Sequence, residues 1–406
     1  MESVEHLRHL EFPHSTQLAL QYIQQHSGDC DSTSTEDRIP GLGGGSESIT
    51  QELAQEFVFF QTPGRQKLSA IQEFQLIELL CNYFHEQKDG GKAQAIFNTL
   101  FDSRPGLFQA YQLSVLSSLV SMGVAMKCTV LLDCAAIWIQ KHGYSTQNSE
   151  NLIRDLVKDY CLLIPGTTSI LEELPQISAK FACSFIAVTS AIYNMSVPDT
   201  DIPFSLLQQI TKWVEQDPTL CLQLLPPVSH SLKTSSAKSV VLHTPILGLL
   251  AWSVVIPIKK ELRTLRQKEQ QNNGTKTIDS QAVRLVSDSE FSAETLCSRL
   301  HLGLLKTILV IGSSPQHIQI HLHIQDVLSL AQEVATLSSG RTGLKTVLSG
   351  AERLLQALQV AMYVKACRCQ AEDLKNLGKT LPTTRLLDIL LQRLSSTSAS
   401  HEPMEH

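Results

Sequence analysis

A chain of 406 residues with 43% hydrophobic and 18% charged side chains is long enough to bury a substantial core and too apolar for disorder to dominate. Its formal net charge of −6 gives no overall attraction to the phosphate backbone of a nucleic acid or to an anionic membrane. The acidic start Met1-Glu2-Ser3-Val4-Glu5 has neither the basic residues nor the apolar run of a signal peptide, so secretion is not expected.

In chain order, residues 1–26 read as an N-terminal helix and 27–48 as a flexible Gly/Ser-rich loop around Gly41-Leu42-Gly43-Gly44-Gly45. That glycine cluster is a poor phosphate cradle. No Gly-Lys-Ser/Thr follows it, and Ser46 stands where a dinucleotide fingerprint needs its last glycine. Residues 49–258 carry apolar side chains at helical spacing and read as an N-terminal helical repeat region. From Leu68 to Phe84 the positions Gln72, Gln75, Glu78 and Asn82 form one narrow polar stripe, and Ser69 with Gln72 makes a capping box at the start. A helix from about Phe108 to Met122 presents Ser114, Ser117, Ser118 and Ser121 on one side, small residues that suit close helix approach. Between Val130 and Ile139 only Asp133 interrupts an apolar run, which predicts a central helix. Leu152, Ile153, Leu156, Val157 and Tyr160 make the next stripe, opposed by Arg154, Asp155, Lys158 and Asp159 and ended by Pro165-Gly166.

Asp217-Pro218 reads as an N-cap followed by proline at the first helical position. The run from Ile246 to Ile258 contains Ser253 and Pro257 and is shorter than the roughly 20 residues a membrane span needs, so it reads as a buried helix. Residues 259–288 are expected to be a polar linker, 289–394 a C-terminal helical region and 395–406 a disordered tail. Within the C-terminal region Leu348, Ala351, Leu355, Leu358 and Met362 repeat at spacings of three and four, the seam of a helix against a neighbour. No run of strict alternation calls for a sheet. The fold class is therefore all-α, and many helices with short breaks suggest an α-solenoid-like, ARM/HEAT-like stack of antiparallel helices with irregular repeats.

Residues spaced for chemistry are few. The chain has ten cysteines, set in apolar helical patterns as at Cys81, Cys134, Cys161 and Cys183, where a free thiol packs as a small hydrophobe. No Cys-x-x-Cys occurs, and Cys367-Arg368-Cys369 is too tight for a zinc ribbon. His317 and His321 are one helical turn apart with His323 turned elsewhere, but no Cys or carboxylate joins them, so surface or packing roles are expected. His85-Glu86 lacks a second histidine at metalloprotease spacing, and His401-Glu402-Pro403-Met404-Glu405-His406 has the wrong spacing. No Gly-x-Ser-x-Gly elbow is present, and Trp138, Trp213 and Trp252 each sit in an apolar helical pattern that fits core packing. The expectation is a protein without catalytic residues, cofactor or metal. Lys259, Lys260, Arg263, Arg266 and Lys268 form the densest basic run, interrupted by Glu261, closed by Glu269 and free of aromatics. It reads as a solvated helix end, with a nuclear-import or acidic-partner contact as its functional alternative.

Four segments carry a resemblance: Leu76-Ile77-Glu78-Leu79-Leu80-Cys81-Asn82-Tyr83-Phe84-His85-Glu86-Gln87, Leu119-Val120-Ser121-Met122-Gly123-Val124-Ala125, Asp159-Tyr160-Cys161-Leu162-Leu163-Ile164-Pro165-Gly166 and Leu355-Gln356-Ala357-Leu358-Gln359-Val360-Ala361-Met362. In order and wording, from about Leu53 to Leu394, the chain resembles the Integrator complex subunit 15 family. The resemblance implies a nuclear, non-catalytic scaffold subunit of the assembly that accompanies RNA polymerase II. It would link the module of subunits 10, 13 and 14 to the rest of the complex, in small nuclear RNA 3′ end processing and attenuation of transcription. Cleavage and dephosphorylation would belong to other subunits. The polybasic loop associated with the family is diluted here between Lys259 and Lys276, and a proline-rich C-terminal tail found in some members is absent. With an acidic chain and no stacking platform, direct sequence-specific nucleic-acid binding is not expected, nor is a membrane partner. The alternative class is a helical adaptor of another process, such as vesicle tethering or nuclear transport.

Overall fold

The computed structural model describes residues 2–27, 45–62, 66–102, 109–163, 167–193, 201–223, 245–273, 280–313, 322–339 and 344–399. All regular structure among them is helical, so the chain is all-α, as its apolar periodicity predicts. The chain divides into two compact units, Met1–Ser184 and Phe185–His406.

In the first unit α1 (Glu2–Arg8) and α2 (His14–Ser27) replace the single helix expected over residues 1–26. The physical reason is Pro13, which has no amide hydrogen and disfavours helical backbone at the residue before it. Of the Gly/Ser-rich stretch 27–48, residues 28–44 lie outside the described residues, Ser27 ends α2, and α3 (Gly45–Leu53) takes the remainder. A wider π-type turn, Ala54–Val58, carries α3 onward and buries Phe57 and Val58. The Thr16 hydroxyl donates to the Phe57 carbonyl at 2.6 Å, tying this turn to α2. Then follow α4 (Ala70–Glu86), α5 (Gly90–Phe101), α6 (Gln109–Ala125), α7 (Thr129–His142) and α8 (Gln147–Val157). Two single turns, α9 (Thr168–Leu171) and α10 (Leu174–Ile177), precede α11 (Ala179–Ile192), which runs across the division between the units.

Local chemistry explains these starts. Ser69 and Gln72 form the expected capping box on α4, each side chain meeting a backbone amide of the other. Asp89 caps α5 by accepting from the Gly91 and Lys92 amides. The core of this unit is a chain of rings, Phe84 to Phe97 to Phe101 to Phe59 to Tyr111, with centroids between 4.9 and 6.5 Å apart. Helix α7 is central as expected, with Leu131, Leu132, Ala135, Trp138 and Ile139 buried. Its one acidic residue, Asp133, accepts from the Ser178 hydroxyl at 2.5 Å, and that hydroxyl in turn accepts the Phe181 amide at the start of α11. The serine side of α6 does less than expected: Ser117 is buried, but Ser114 and Ser118 face outward. The close approach falls at Gly123, where an added Cβ would lie 2.7 Å from Leu131. Of the stop at Pro165-Gly166, both residues lie outside the described ones.

The second unit contains α12 (Phe204–Gln216), α13 (Pro245–Asn273), α14 (Ser280–Ser313), α15 (Ile324–Ser338), α16 (Lys345–Tyr363), α17 (Ala371–Thr380) and α18 (Arg385–Ala399). Helices α12, α13, α14 and α16 build its core, α15 packs on α13, α16 and α17, and α18 on α16 and α17. Asp217 does not open a long helix. It ends α12, and its carboxylate accepts the Thr219 amide and hydroxyl in a tight turn that yields only the 3₁₀ turn Leu220–Leu222. The stretch expected as a polar linker, 259–288, is helical over 259–273 and 280–288, and residues 274–279 lie outside the described ones. Helix α13 persists past Ile258 because Leu262 remains buried and Lys259, Lys260, Glu261 and Arg263 are half-buried. Residues 395–399 of the expected tail continue α18, while 400–406 lie outside the described residues. The seam of α16 buries Ala351, Leu355 and Leu358, but Leu348 is 40% exposed. Val347 and Gly350 face inward in its place.

Candidate interaction surface

The basic run belongs to α13, and what fixes α13 is a buried arginine. Pro257 lies inside this helix and has no amide hydrogen to give the carbonyl four residues earlier, that of Ser253. The guanidinium of Arg353, on α16 and 7% exposed, supplies the missing donor at 2.6 Å. Its other terminal nitrogen meets Glu294 Oε1 at 2.5 Å and Ser298 Oγ at 2.8 Å, both on α14. One side chain thus joins three helices through charge-assisted hydrogen bonds. Gly350, one turn earlier on α16, makes the approach short enough, since a Cβ there would stand 3.2 Å from the Val254 carbonyl. One turn later His301 Nε2 pairs with Gln356 Oε1 at 2.9 Å. Burial lowers the His301 pKa, the bond to Gln356 opposes this, and nearby Arg353 lowers it further.

On this frame the five basic residues separate. Lys259 is half-buried beside Glu333 of α15: burial pushes its pKa down while Glu333 and Asp201 push it up. Glu333 is itself raised by burial and lowered by Lys259. Arg263 pairs with Asp201, just before α12, and Glu261 accepts from the Thr346 hydroxyl of α16. Lys260 is half-buried. Arg266 and Lys268 are exposed and have no ion pair among the described residues. The run is therefore half-buried at Lys259 and Lys260, paired at the surface at Arg263, and without an ion pair among the described residues only at its exposed far end. The spacing of lysines and arginines could not reveal this, because the partners Asp201, Glu333 and Thr346 are distant in sequence.

His317 and His321 lie outside the described residues, and His323 precedes α15 without capping it. Among the described residues no group of three or more His, Cys, Asp or Glu is placed to hold a metal ion. The nine described cysteines are free thiols, seven of them buried. Cys81 of α4 and Cys128 at the start of α7 share a hydrogen bond, which lowers the pKa of Cys128 and raises that of Cys81. Trp138, Trp213 and Trp252 are all core residues, the first donating to the Phe101 carbonyl and the last to the Tyr193 carbonyl. No described helix is long and apolar enough to cross a membrane. The feature that sequence reasoning missed is Arg353. Its signal was indirect: a proline inside an apolar helix leaves a carbonyl that some side chain must satisfy.

Comparison with known proteins gives one consistent result. The family model described as Integrator complex subunit 15 matches residues 2–383. The chain is 31% identical over 372 residues to Integrator complex subunit 15 of Danio rerio, covering 86% of this chain and 73% of that protein. It is 31% identical over 366 residues to the Homo sapiens protein of the same name, covering 84% and 77%. It is 25% identical over 366 residues to Integrator complex subunit 15 of Drosophila melanogaster, covering 85% of this chain and 88% of that protein.

Proposed function

This chain belongs to the Integrator complex subunit 15 family, and from that premise we propose that it is a non-catalytic scaffold subunit of the nuclear Integrator complex. It links the module of subunits 10, 13 and 14 to the rest of the assembly, in small nuclear RNA 3′ end processing and in attenuation of transcription by RNA polymerase II. The observation that carries this reading is the reach of the match, which spans residues 2–383 and thus nearly all of the helical body. It is supported by an architecture of packed helices whose polar residues serve the packing, as Arg353 and Asp133 do. A scaffold of this kind binds through apolar patches with polar rims. Arg266 and Lys268 are the part of the basic run free to meet an acidic partner or an import receptor.

The test is mass spectrometry of proteins that co-purify with the tagged chain from nuclei, washed at moderate salt to remove weak charge contacts. Recovery of subunits 10, 13 and 14 in comparable amounts is the expected result. Recovery of tethering or transport factors without Integrator subunits would overturn the proposal.

A further inference from the structure

Helix α14 is two-faced in a way its role in the core does not account for. Leu296, Leu300, Leu304, Ile308 and Ile311 are buried, and Gly303 allows close approach of Val214 on α12, 3.0 Å from where a Cβ would stand. The outward positions are Thr295, Arg299, Leu302, Lys306 and Leu309, spaced four, three, four and three. That is the spacing of a seam between two helices. Leu302 is 58% exposed and Leu309 46%, with half-buried Leu305 between them. Single exposed leucines need no explanation, but two exposed leucines with a half-buried one between them, at i, i+3 and i+7, have the anchor spacing by which one helix receives another.

The charges of the seam select the occupant. Arg299 is satisfied by a two-point pair with Glu215 of α12. Lys306, between the leucines, is exposed and has no ion pair among the described residues. We propose that Leu302, Leu305, Lys306 and Leu309 seat an amphipathic helix of another Integrator subunit, one that places a carboxylate between apolar residues. This rests on the membership reading and deepens it. A second copy of this chain is disfavoured, since antiparallel pairing about the middle of the stripe sets the two Lys306 ammoniums side by side, and each chain carries a net charge of −6. Ile71 and Phe74 of α4, another exposed apolar pair on one helix face among the described residues, span a single turn and give way to Glu78.

The test uses the tagged chain purified from nuclei as wild type, as the double variant Leu302→Glu with Leu309→Glu, and as Lys306→Glu. All three are first compared for thermal unfolding. The expected result is an unchanged midpoint and about tenfold lower recovery of at least one Integrator subunit by the leucine variant, with a smaller loss of the same subunit by Lys306→Glu. If the leucine variant unfolds, Lys306→Glu alone decides the matter, because it changes only an exposed charge. In the wild-type complex a carbodiimide, which takes up one water to become its urea, is expected to join Lys306 Nζ by an amide bond to a carboxyl group of that subunit. Undiminished recovery by folded variants overturns the proposal, as does a crosslink from Lys306 only to a second copy of this chain or to nothing. If the wild-type chain recovers no Integrator subunit, the membership reading fails first and takes this one with it.

Discussion

Arg353 and Pro257 form a pair that neither residue explains alone. The substitution Arg353→Met strands the Ser253 carbonyl and leaves Glu294 facing an apolar chain. Because the Glu294 side chain is 40% exposed, although its Oε2 is buried, the carboxylate recovers part of its solvation through the rest of the group. The expected loss is thus about 2 kcal/mol, less than for a wholly buried pair. Equilibrium urea unfolding measures it. In the Arg353→Met background Pro257→Ala restores an amide donor to Ser253, so it is expected to stabilise more there than in the wild type, by roughly 1 kcal/mol. Equal effects in the two backgrounds would mean that Arg353 does not stand in for the missing amide. His301, one turn away, gives a prediction in pH. Burial lowers its pKa below the ordinary 6.5, so the unfolded chain binds the proton more readily than the folded one. Stability from this residue is therefore present above pH 6.5 and declines as the pH falls from there toward the lower folded-state pKa. Thermal midpoints of wild type and His301→Gln across that interval should show a steeper decline in the wild type.

At the scale of elements, what was legible in the sequence was what is decided within one turn. Ser69 and Gln72 announced the start of α4 because both partners of the capping box lie three residues apart, and Ser69→Ala is expected to cost about 1 kcal/mol in the same unfolding assay. Asp217-Pro218 misled for the complementary reason. The Asp217 side chain has a competing local use in the turn at Thr219, and a dipeptide cannot show which use prevails. Leu348 fits the heptad of α16 yet stays exposed, because the neighbour to which the seam turns is set by packing on α13 and α14 and not by the period. The same packing makes Gly350 consequential. Ala there would gain roughly 1 kcal/mol in helix propensity, but its Cβ would press on the Val254 carbonyl at 3.2 Å and Ile258 at 3.1 Å. A backbone carbonyl cannot turn aside, so the net change is expected to be destabilising by about 1 kcal/mol. A stabilised variant would show that α16 moves freely over α13.

At the scale of the molecule, the all-α class was readable from apolar periodicity alone, because every buried helix face must repeat it. The division between units was not. It falls within α11, whose residues Phe181 to Val188 are all buried or nearly so, and a boundary inside a continuous apolar helix leaves no mark in composition. Charge followed the same rule. Five basic residues close together looked like one solvated patch, whereas Asp201 holds Arg263 in a surface ion pair and Lys259 is half-buried near Glu333, both partners remote in sequence. Surface electrostatics therefore depends on the far end of α13, and there the molecule offers a clear contrast. Reversing Arg266 and Lys268 to Glu touches no described ion pair and is expected to leave stability within about 0.5 kcal/mol of wild type. If these two cations meet an acidic partner, recovery of that partner by the wild-type chain should fall as ionic strength rises past the Debye screening regime, roughly 0.1 to 0.15 M. The reversed variant should then start low and show little further dependence on salt. Identical salt curves would assign the exposed end of the run to solvation alone and leave the apolar seam of α14 to carry the binding.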